Sequence, residues 1–373
     1  MKKDKEDQYM KVLHLLTSGH AGGIESLCRD IGKYSTFENT FCFISGAGVI
    51  YNQMKDLGLN VIDISVQGPK LSLKKYISIK KLADNHDVVV VHHGDPFLKL
   101  YYSFLKKHTS AKLVSVIHSC YTPATCKHFQ SIKRVMYERI VDLSLEKSDA
   151  IVYVAQAGKK SFEEKFGVKK ARSYVVYNGI SPEKIEQGKQ NNRKEEIPYN
   201  ITYIGRLNII KGVDNLLKAA SILRNKYDII VSVVGDGPDR ERLERIASDL
   251  KITDITTFYG QQSDVEKYLE KASVFVYPST CPEVFGISIV EAMAYGIPCI
   301  SNSVGGIPEV ITDKVSGLLC YSFDPKELAR NIEYVLNNDS HHMIEEGRLV
   351  AEKYSIINTV NNLQSVFTEV IGG

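Results

Sequence analysis

Several common signatures are missing from this 373-residue chain. Neither GxGxxG nor GxxxxGKS/T occurs, which argues against dinucleotide-fingerprint and P-loop readings. Asp-x-Asp is absent as well, and no cluster has metal-ligand spacing, so a catalytic divalent cation is not implied. The seven cysteines, at 28, 42, 120, 126, 281, 299 and 320, make no CxxC pair, and neither a disulfide framework nor a zinc site is supported. No run approaches the roughly 20 apolar residues that cross a bilayer. The start, MKKDKEDQY, is charged and leads into no signal-peptide core, so the expected location is the cytoplasm.

What is present describes a soluble globular protein, 43% hydrophobic and 24% charged, long enough for two domains of about 150 to 200 residues. The net charge of +3 hides an asymmetry. Residues 1–180 hold 27 Lys and Arg against 17 Asp and Glu, and residues 181–373 hold 20 against 27. The excess includes Lys70, Lys74, Lys75, Lys80, Lys81, Lys99, Lys106, Lys107, Lys112, Lys127, Lys133, Arg134 and Arg139. A solvated surface is one reading; a face for anionic headgroups, a polyphosphate-bearing acceptor or nucleic acid is the other.

Short apolar runs alternate with helical patterns: MKVLHLL, NTFCFIS, NVIDIS, DVVVVHH, KLVSVIH, DAIVYVA and SYVVYN, then YNITYIG, DIIVSVVG, ITTFYG, VFVYPS and IPCISN. Continuous apolar strands between amphipathic helices predict α/β architecture, two doubly wound parallel sheets covered on both faces. The seam falls near Asn178-Gly179, and the polar stretch 181–200 reads as a linker. Ligands of such sheets bind beyond the carboxyl ends of the strands, so the loops there and the cleft between domains are where chemistry is expected.

The densest signal is Pro278 to Val310, where Glu283 and Glu291 stand eight apart around Phe285-Gly286. A short helix is predicted from Gly286 to Gly296. Its first amides, at Gly286, Ile287 and Ser288, suit a phosphate, while Glu291 suits hydroxyls such as those of a ribose. A loop charge and a solvated helix residue are the plainer reading of the two glutamates. Arg206 and Lys211, in GRLNIIKG, lead from a strand into a helix near Val213 and suit a diphosphate. Gly22-Gly23 either admit a ligand or simply make the turn into a helix near Ile24. His118 ends the strand KLVSVIH, and His92-His93 end DVVVVHH; of these His118 is the stronger candidate for facing a ligand.

Taken in order, GGIE at 22–25, NGI at 178–180, GRLNIIKG at 205–212, VGDGP at 234–238, the stretch 278–300 and GGIPE at 305–309 resemble a retaining glycosyltransferase of family 4. The resemblance implies the GT-B fold, two Rossmann-like domains across a cleft. An acceptor domain would span 1–178, joined by the final helix 355–373, and a nucleotide-sugar domain 179–354. It also implies roles. Arg206 and Lys211 would hold the donor diphosphate, Glu283 the sugar hydroxyls, Glu291 the ribose, and Phe285, Gly286 and Ile287 would line the donor site. His118 would touch the sugar and Gly22-Gly23 the phosphate and acceptor. The donor expected is a nucleotide sugar, UDP-linked rather than GDP-linked, with no cofactor or metal. The acceptor expected is a glycan or polyprenyl-diphosphate-linked precursor of a cell-surface polysaccharide, met at an anionic membrane, with no nucleic acid involved. A UDP-sugar epimerase and a non-catalytic partner of another transferase are the alternatives. One position departs from the family: Ala155 stands where a serine is common.

Overall fold

The computed structural model describes residues 9–20, 22–92, 94–121, 131–191, 197–262 and 264–373. The chain divides into two compact units, Met1–Asn178 with Ile356–Gly373, and Gly179–Ser355. The first holds strands β1 (Lys11–Leu16), β2 (Glu38–Phe43), β3 (Asn60–Asp63), β4 (Val88–His92), β5 (Lys112–Ile117), β6 (Ala150–Tyr153) and β7 (Arg172–Val175). The second holds β8 (Tyr199–Ile204), β9 (Ile229–Val234), β10 (Thr256–Gly260), β11 (Val274–Tyr277), β12 (Cys299–Asn302) and β13 (Leu318–Cys320). All pair in parallel, in the orders β3-β2-β1-β4-β5-β6-β7 and β10-β9-β8-β11-β12-β13.

Both orders reverse direction once, between β1 and β4 and between β8 and β11. At such a switch point the crossover helices leave toward opposite faces and open a crevice at the carboxyl ends of the strands. The central strands are largely apolar because helices cover both faces; Val88 to Val91 are all buried. Twelve of these strands correspond to the apolar runs. The thirteenth, LLC, is three residues long and carries too little pattern to be read.

Two expectations are corrected. The stretch after the seam is not all linker, since Pro182–Gln190 is a helix. Ser181 caps it by accepting from the Lys184 amide, and Pro182 occupies its first turn. The basic excess of the first half is also not all surface: Lys75 and Lys99 are 2% and 1% exposed, with Lys75 Nζ donating to the Ile44 carbonyl (2.8 Å) and Lys99 Nζ to the Tyr137 hydroxyl (3.1 Å). Among the described residues no helix is long and apolar enough to cross a membrane. Lys127, Cys126 and His93 lie outside the described residues.

Candidate active site

In the second unit, the strands flanking the switch point deliver Lys211 and Glu283 to one place. β8 runs into Gly205–Gly212, ending in a single 3-10 turn at Ile209–Lys211 before the helix Val213–Leu223. β11 runs into the loop that precedes the helix Ile287–Ala294. The two loops are joined backbone to backbone, the Thr280 amide donating to the Ile210 carbonyl at 2.9 Å. Gly212 is left-handed (φ 66°), and a Cβ there would stand 2.1 Å from the Pro278 carbonyl oxygen. Only glycine lets the loops approach so closely.

Lys211 Nζ thereby lies 2.7 Å from Glu283 Oε1 and 2.8 Å from the Tyr277 hydroxyl. Ser279 Oγ, 2.6 Å away, donates to the same carboxylate oxygen. The Lys211 and Glu283 side chains are only 20% and 15% exposed, so water screens the pair weakly. Burial pushes the Tyr277 phenol well above its usual range, and the negative charge of Glu283 adds to this. Glu283 is held from behind as well, its carbonyl accepting from the Gly306 amide at 2.7 Å. Arg206, the other cation of this loop, is exposed, and no ion pair to it is seen among the described residues.

Glu291 sits inside the helix Ile287–Ala294, which starts from a left-handed Gly286 (φ 81°). Its Oε1 lies 2.5 Å from Lys184 Nζ, and Glu266 Oε1 lies 3.2 Å from the same ammonium. Burial works against the charge of Lys184, but Glu291 and Glu266 more than offset it and hold the ammonium above its ordinary range. Nothing in the sequence reading joined Lys184 to Glu291, because 107 residues separate them. The Phe285 ring is 1% exposed and packs edge-on against Tyr354, with centroids 4.9 Å apart, so its side chain is a packing element.

In the first unit, Gly22 is the extended N-cap of the helix Gly23–Tyr34, without a side-chain cap, and among the described residues beyond its own turn nothing lies within 4 Å of where a Cβ on Gly23 would be. Ala155 is likewise an uncapped N-cap, of the helix Gln156–Phe166, where a serine would supply a hydroxyl. His118 follows the last residue of β5 and joins a line of rings. Its Nε2 lies 2.9 Å from His92 Nδ1, His92 Nε2 lies 3.0 Å from His14 Nδ1, and His14 Nε2 lies 2.9 Å from Asn39 Oδ1. The three rings stack, with centroids 5.1 and 5.3 Å apart. Cys28 Sγ lies 3.4 Å from His92 Nε2, and the ligand-type atoms of His14, Cys28 and His92 all fall within 4.8 Å of one another. Sequence spacing gave no sign of that cluster, since its members come from two strands and a helix. Burial pulls His14 and His118 down to about 4 and raises the Cys28 thiol well above its usual range.

A pair of parallel sheets of this order, with cations and carboxylates at the switch point of the second, defines a two-unit α/β protein of GT-B fold. Two family models match consecutive stretches of the chain, "Glycosyltransferase Family 4" over residues 60–184 and "Glycosyl transferases group 1" over residues 184–350. The chain belongs to this glycosyltransferase family. An uncharacterized glycosyltransferase of Haemophilus influenzae is 29% identical over 228 residues, covering 60% of this chain and 62% of that protein. The chain thus spans about three-fifths of the length of that curated relative. The lipopolysaccharide 1,2-N-acetylglucosaminetransferase of Salmonella typhimurium is 25% identical over 376 residues, covering 92% of this chain and 93% of that protein. Among solved structures, Anabaena HepE in complex with UDP and glucose superposes with a TM-score of 0.80 at 21% identity, covering 96% of this chain and 100% of that one.

Proposed function

We propose that the protein is a retaining glycosyltransferase that moves a hexosyl group from a nucleotide-diphosphate sugar, UDP-linked by preference, to a glycan or lipid-linked acceptor of cell-surface polysaccharide synthesis, without a metal ion. The observation that carries this is the pairing of Lys211 with Glu283 at the carboxyl ends of β8 and β11, beside the N-terminus of the helix Ile287–Ala294. In the reaction the bond between the anomeric carbon and the diphosphate oxygen breaks as the acceptor oxygen bonds to that carbon. The acceptor proton passes to the departing diphosphate. Lys211 and the exposed Arg206 supply positive charge where negative charge develops, which a metal ion otherwise does. Glu283, fixed by Lys211, Ser279 and the Gly306 amide, orients sugar hydroxyls rather than acting as nucleophile. Glu291 meets the ribose, and the amides at Gly286 and Ile287 meet phosphate or sugar.

Support for a UDP donor comes from HepE, whose structure holds UDP and glucose, and for a surface-glycan acceptor from the Salmonella lipopolysaccharide transferase. The membrane side of the reading rests on the first unit. Leu73 and Ile77, 73% and 57% exposed, alternate with exposed Lys70, Lys74 and Lys81. Ile132, Val135 and Met136 stand exposed beside Lys133, Arg134 and Arg139. Apolar side chains interleaved with cations suit an anionic bilayer surface. A panel of UDP- and GDP-sugars, scored for slow release of the nucleotide in EDTA, tests the proposal; release from a UDP-sugar is expected, and strict dependence on added metal refutes the metal-free step.

A further inference from the structure

The connection from β10 to β11 carries only the one-turn helix Glu266–Leu269, whereas those after β8, β9 and β11 carry helices of 11, 10 and 8 residues. One turn is about 6 Å of cover beside a strand of about 17 Å, the length of β10. A cavity of about 780 Å³ lies beside that helix, lined between Asn191 and Ser273 by residues of the second unit alone. Small-molecule sites occupy about 300–1,000 Å³, so the size is that of a ligand site. Arg206, Lys211, Glu283 and Glu291 take no part in its lining. Asn200, which does, stands second in β8, away from the end that leads to Lys211.

The floor of the cavity is polar. Asn200 and Ser232 line it at 8% and 3% exposure. Asn200 is level with Ile230 and Thr202 with Ser232, and side chains alternate along a strand, so these four share one face; the other face carries Ile201, Tyr203, Val231 and Val233. Asn200 Oδ1 and Thr202 Oγ1 are buried with no hydrogen-bond partner among the described residues. An unmet buried oxygen is costly, and Oδ1 only accepts, so it calls for a donor. The rim supplies rings and charge. Tyr259, 40% exposed, and Tyr268 stand with ring centroids 4.7 Å apart. Lys267 and Lys271, both exposed, border the cavity, and no ion pair to either is seen among the described residues. Glu270 is the one carboxylate in the lining among the described residues.

We propose that this groove is a second ligand site, for a phosphorylated monosaccharide. The two ammonium groups suit one phosphate, and Glu270 in the same lining disfavours a ligand that is anionic throughout. Hydroxyls match the remainder, because Glu270 and Asn200 Oδ1 accept and the Ser232 hydroxyl both gives and accepts. The tyrosine rings offer apolar cover to the C–H face of a sugar ring. They meet each other at 55° instead of standing as parallel walls, which does not suit a base held between them. The site is independent of the donor reading, since it shares none of the residues assigned to the nucleotide sugar.

The test is saturation-transfer NMR on the full chain with the 6-phosphates of glucose, galactose and mannose, each with and without saturating UDP. At least one is expected to receive saturation on its sugar protons, equally when UDP is present. Replacing both lysines, Lys267→Ala with Lys271→Ala, is expected to weaken that binding about tenfold, the worth of one charge-assisted contact, with an unchanged melting temperature because both side chains are exposed. Asn200→Ala keeps the cations but not the floor. It is expected to weaken the sugar phosphate about fivefold, the worth of one hydrogen bond, and to leave inorganic phosphate binding as it was. If Asn200→Ala does not fold, the lysine variant decides alone. The proposal is overturned if none of the three sugars is saturated, if UDP displaces them, or if the lysine variant binds as the wild type does. Tighter binding of UMP than of any sugar phosphate, with UDP saturating, would give the groove to a nucleotide and overturn it too. A protein that binds no UDP counts against the proposed function, and the variants then decide the groove.

Discussion

Lys211 Nζ and Glu283 Oε1 stand 2.7 Å apart, one side chain delivered by the loop after β8 and the other by the loop after β11. The pair makes the two loops one electrostatic unit. Lys211→Met would leave a mostly buried carboxylate with Ser279 as its remaining side-chain donor among the contacts described above. We expect about 1–3 kcal/mol lower stability in urea unfolding. On the proposed reaction we also expect a transfer rate lower by roughly 10²–10³-fold. A Lys211→Met protein that transfers at the wild-type rate would separate the pair from the chemistry.

Lys184 couples Glu291 to Glu266, and its removal would set two carboxylates facing each other without a cation between them. A double-mutant cycle with Lys184→Met and Glu291→Gln is expected to give a coupling of about 1–2 kcal/mol, above what an exposed pair delivers. If Glu291 also meets a ribose, Glu291→Ala raises the donor KM more than it lowers kcat. Additive effects in the cycle would mean that the two side chains stabilise the unit independently.

Gly305 carries Glu283 through its backbone. It is left-handed (φ 57°), and a Cβ there would meet the Glu283 carbonyl oxygen at 2.1 Å. Gly305→Ala is expected to cost roughly 2 kcal/mol or more and to abolish transfer, because the backbone bearing Glu283 must move. Gly58 is the control. It is left-handed too (φ 74°) with nothing within 4 Å of the added methyl, so Gly58→Ala is expected to cost about 1 kcal/mol and leave activity intact. Equal losses in the two variants would show that backbone strain, not displacement of Glu283, accounts for Gly305.

Acid should weaken the first unit through His14. Its folded value of about 4 lies below the ordinary 6.5, so the unfolded chain binds the extra proton first and stability falls as pH drops from 6.5 to 4. Burial is the main cause, partly opposed by the bond to Asn39 and reinforced by His86. The contribution is roughly 3 kcal/mol, complete above pH 6.5. Urea unfolding at pH 7, 5 and 4 is expected to show a shallower loss for His14→Phe, whose ring can keep the stack on Phe41. Identical slopes in both proteins would refute the buried neutral imidazole.

The sheets and the loops that follow them were legible because a buried parallel strand is a continuous apolar run, and its glycine, proline and charged termini mark where the chain turns. Arg206, Lys211 and Glu283 could be found that way, each within a few residues of a strand end. The Lys211–Glu283 contact itself was not readable, since it depends on β8 and β11 being neighbours in the sheet, and strand order is a tertiary property. The same holds for the line from His118 to Asn39, whose members look in sequence like isolated polar residues in or after apolar strands. Pro182–Gln190 reads as linker for the opposite reason. Its polar composition hid a helix whose start, Ser181-Pro182-Glu183, is a recognisable cap. Lys75 and Lys99 show that a lysine in an amphipathic stretch is not surface by default, because backbone and tyrosine oxygens can receive its ammonium.

The central claim is that Lys211 and Glu283 form a nucleotide-sugar site, and titration calorimetry of UDP-sugars against wild type and Lys211→Met in EDTA tests it most directly. The account predicts saturable binding of at least one UDP-sugar by the wild type, weakened about tenfold or more in Lys211→Met, the loss of one charge-assisted contact. Binding that is equal in the two proteins, or a wild type that binds no nucleotide sugar at all, would contradict it.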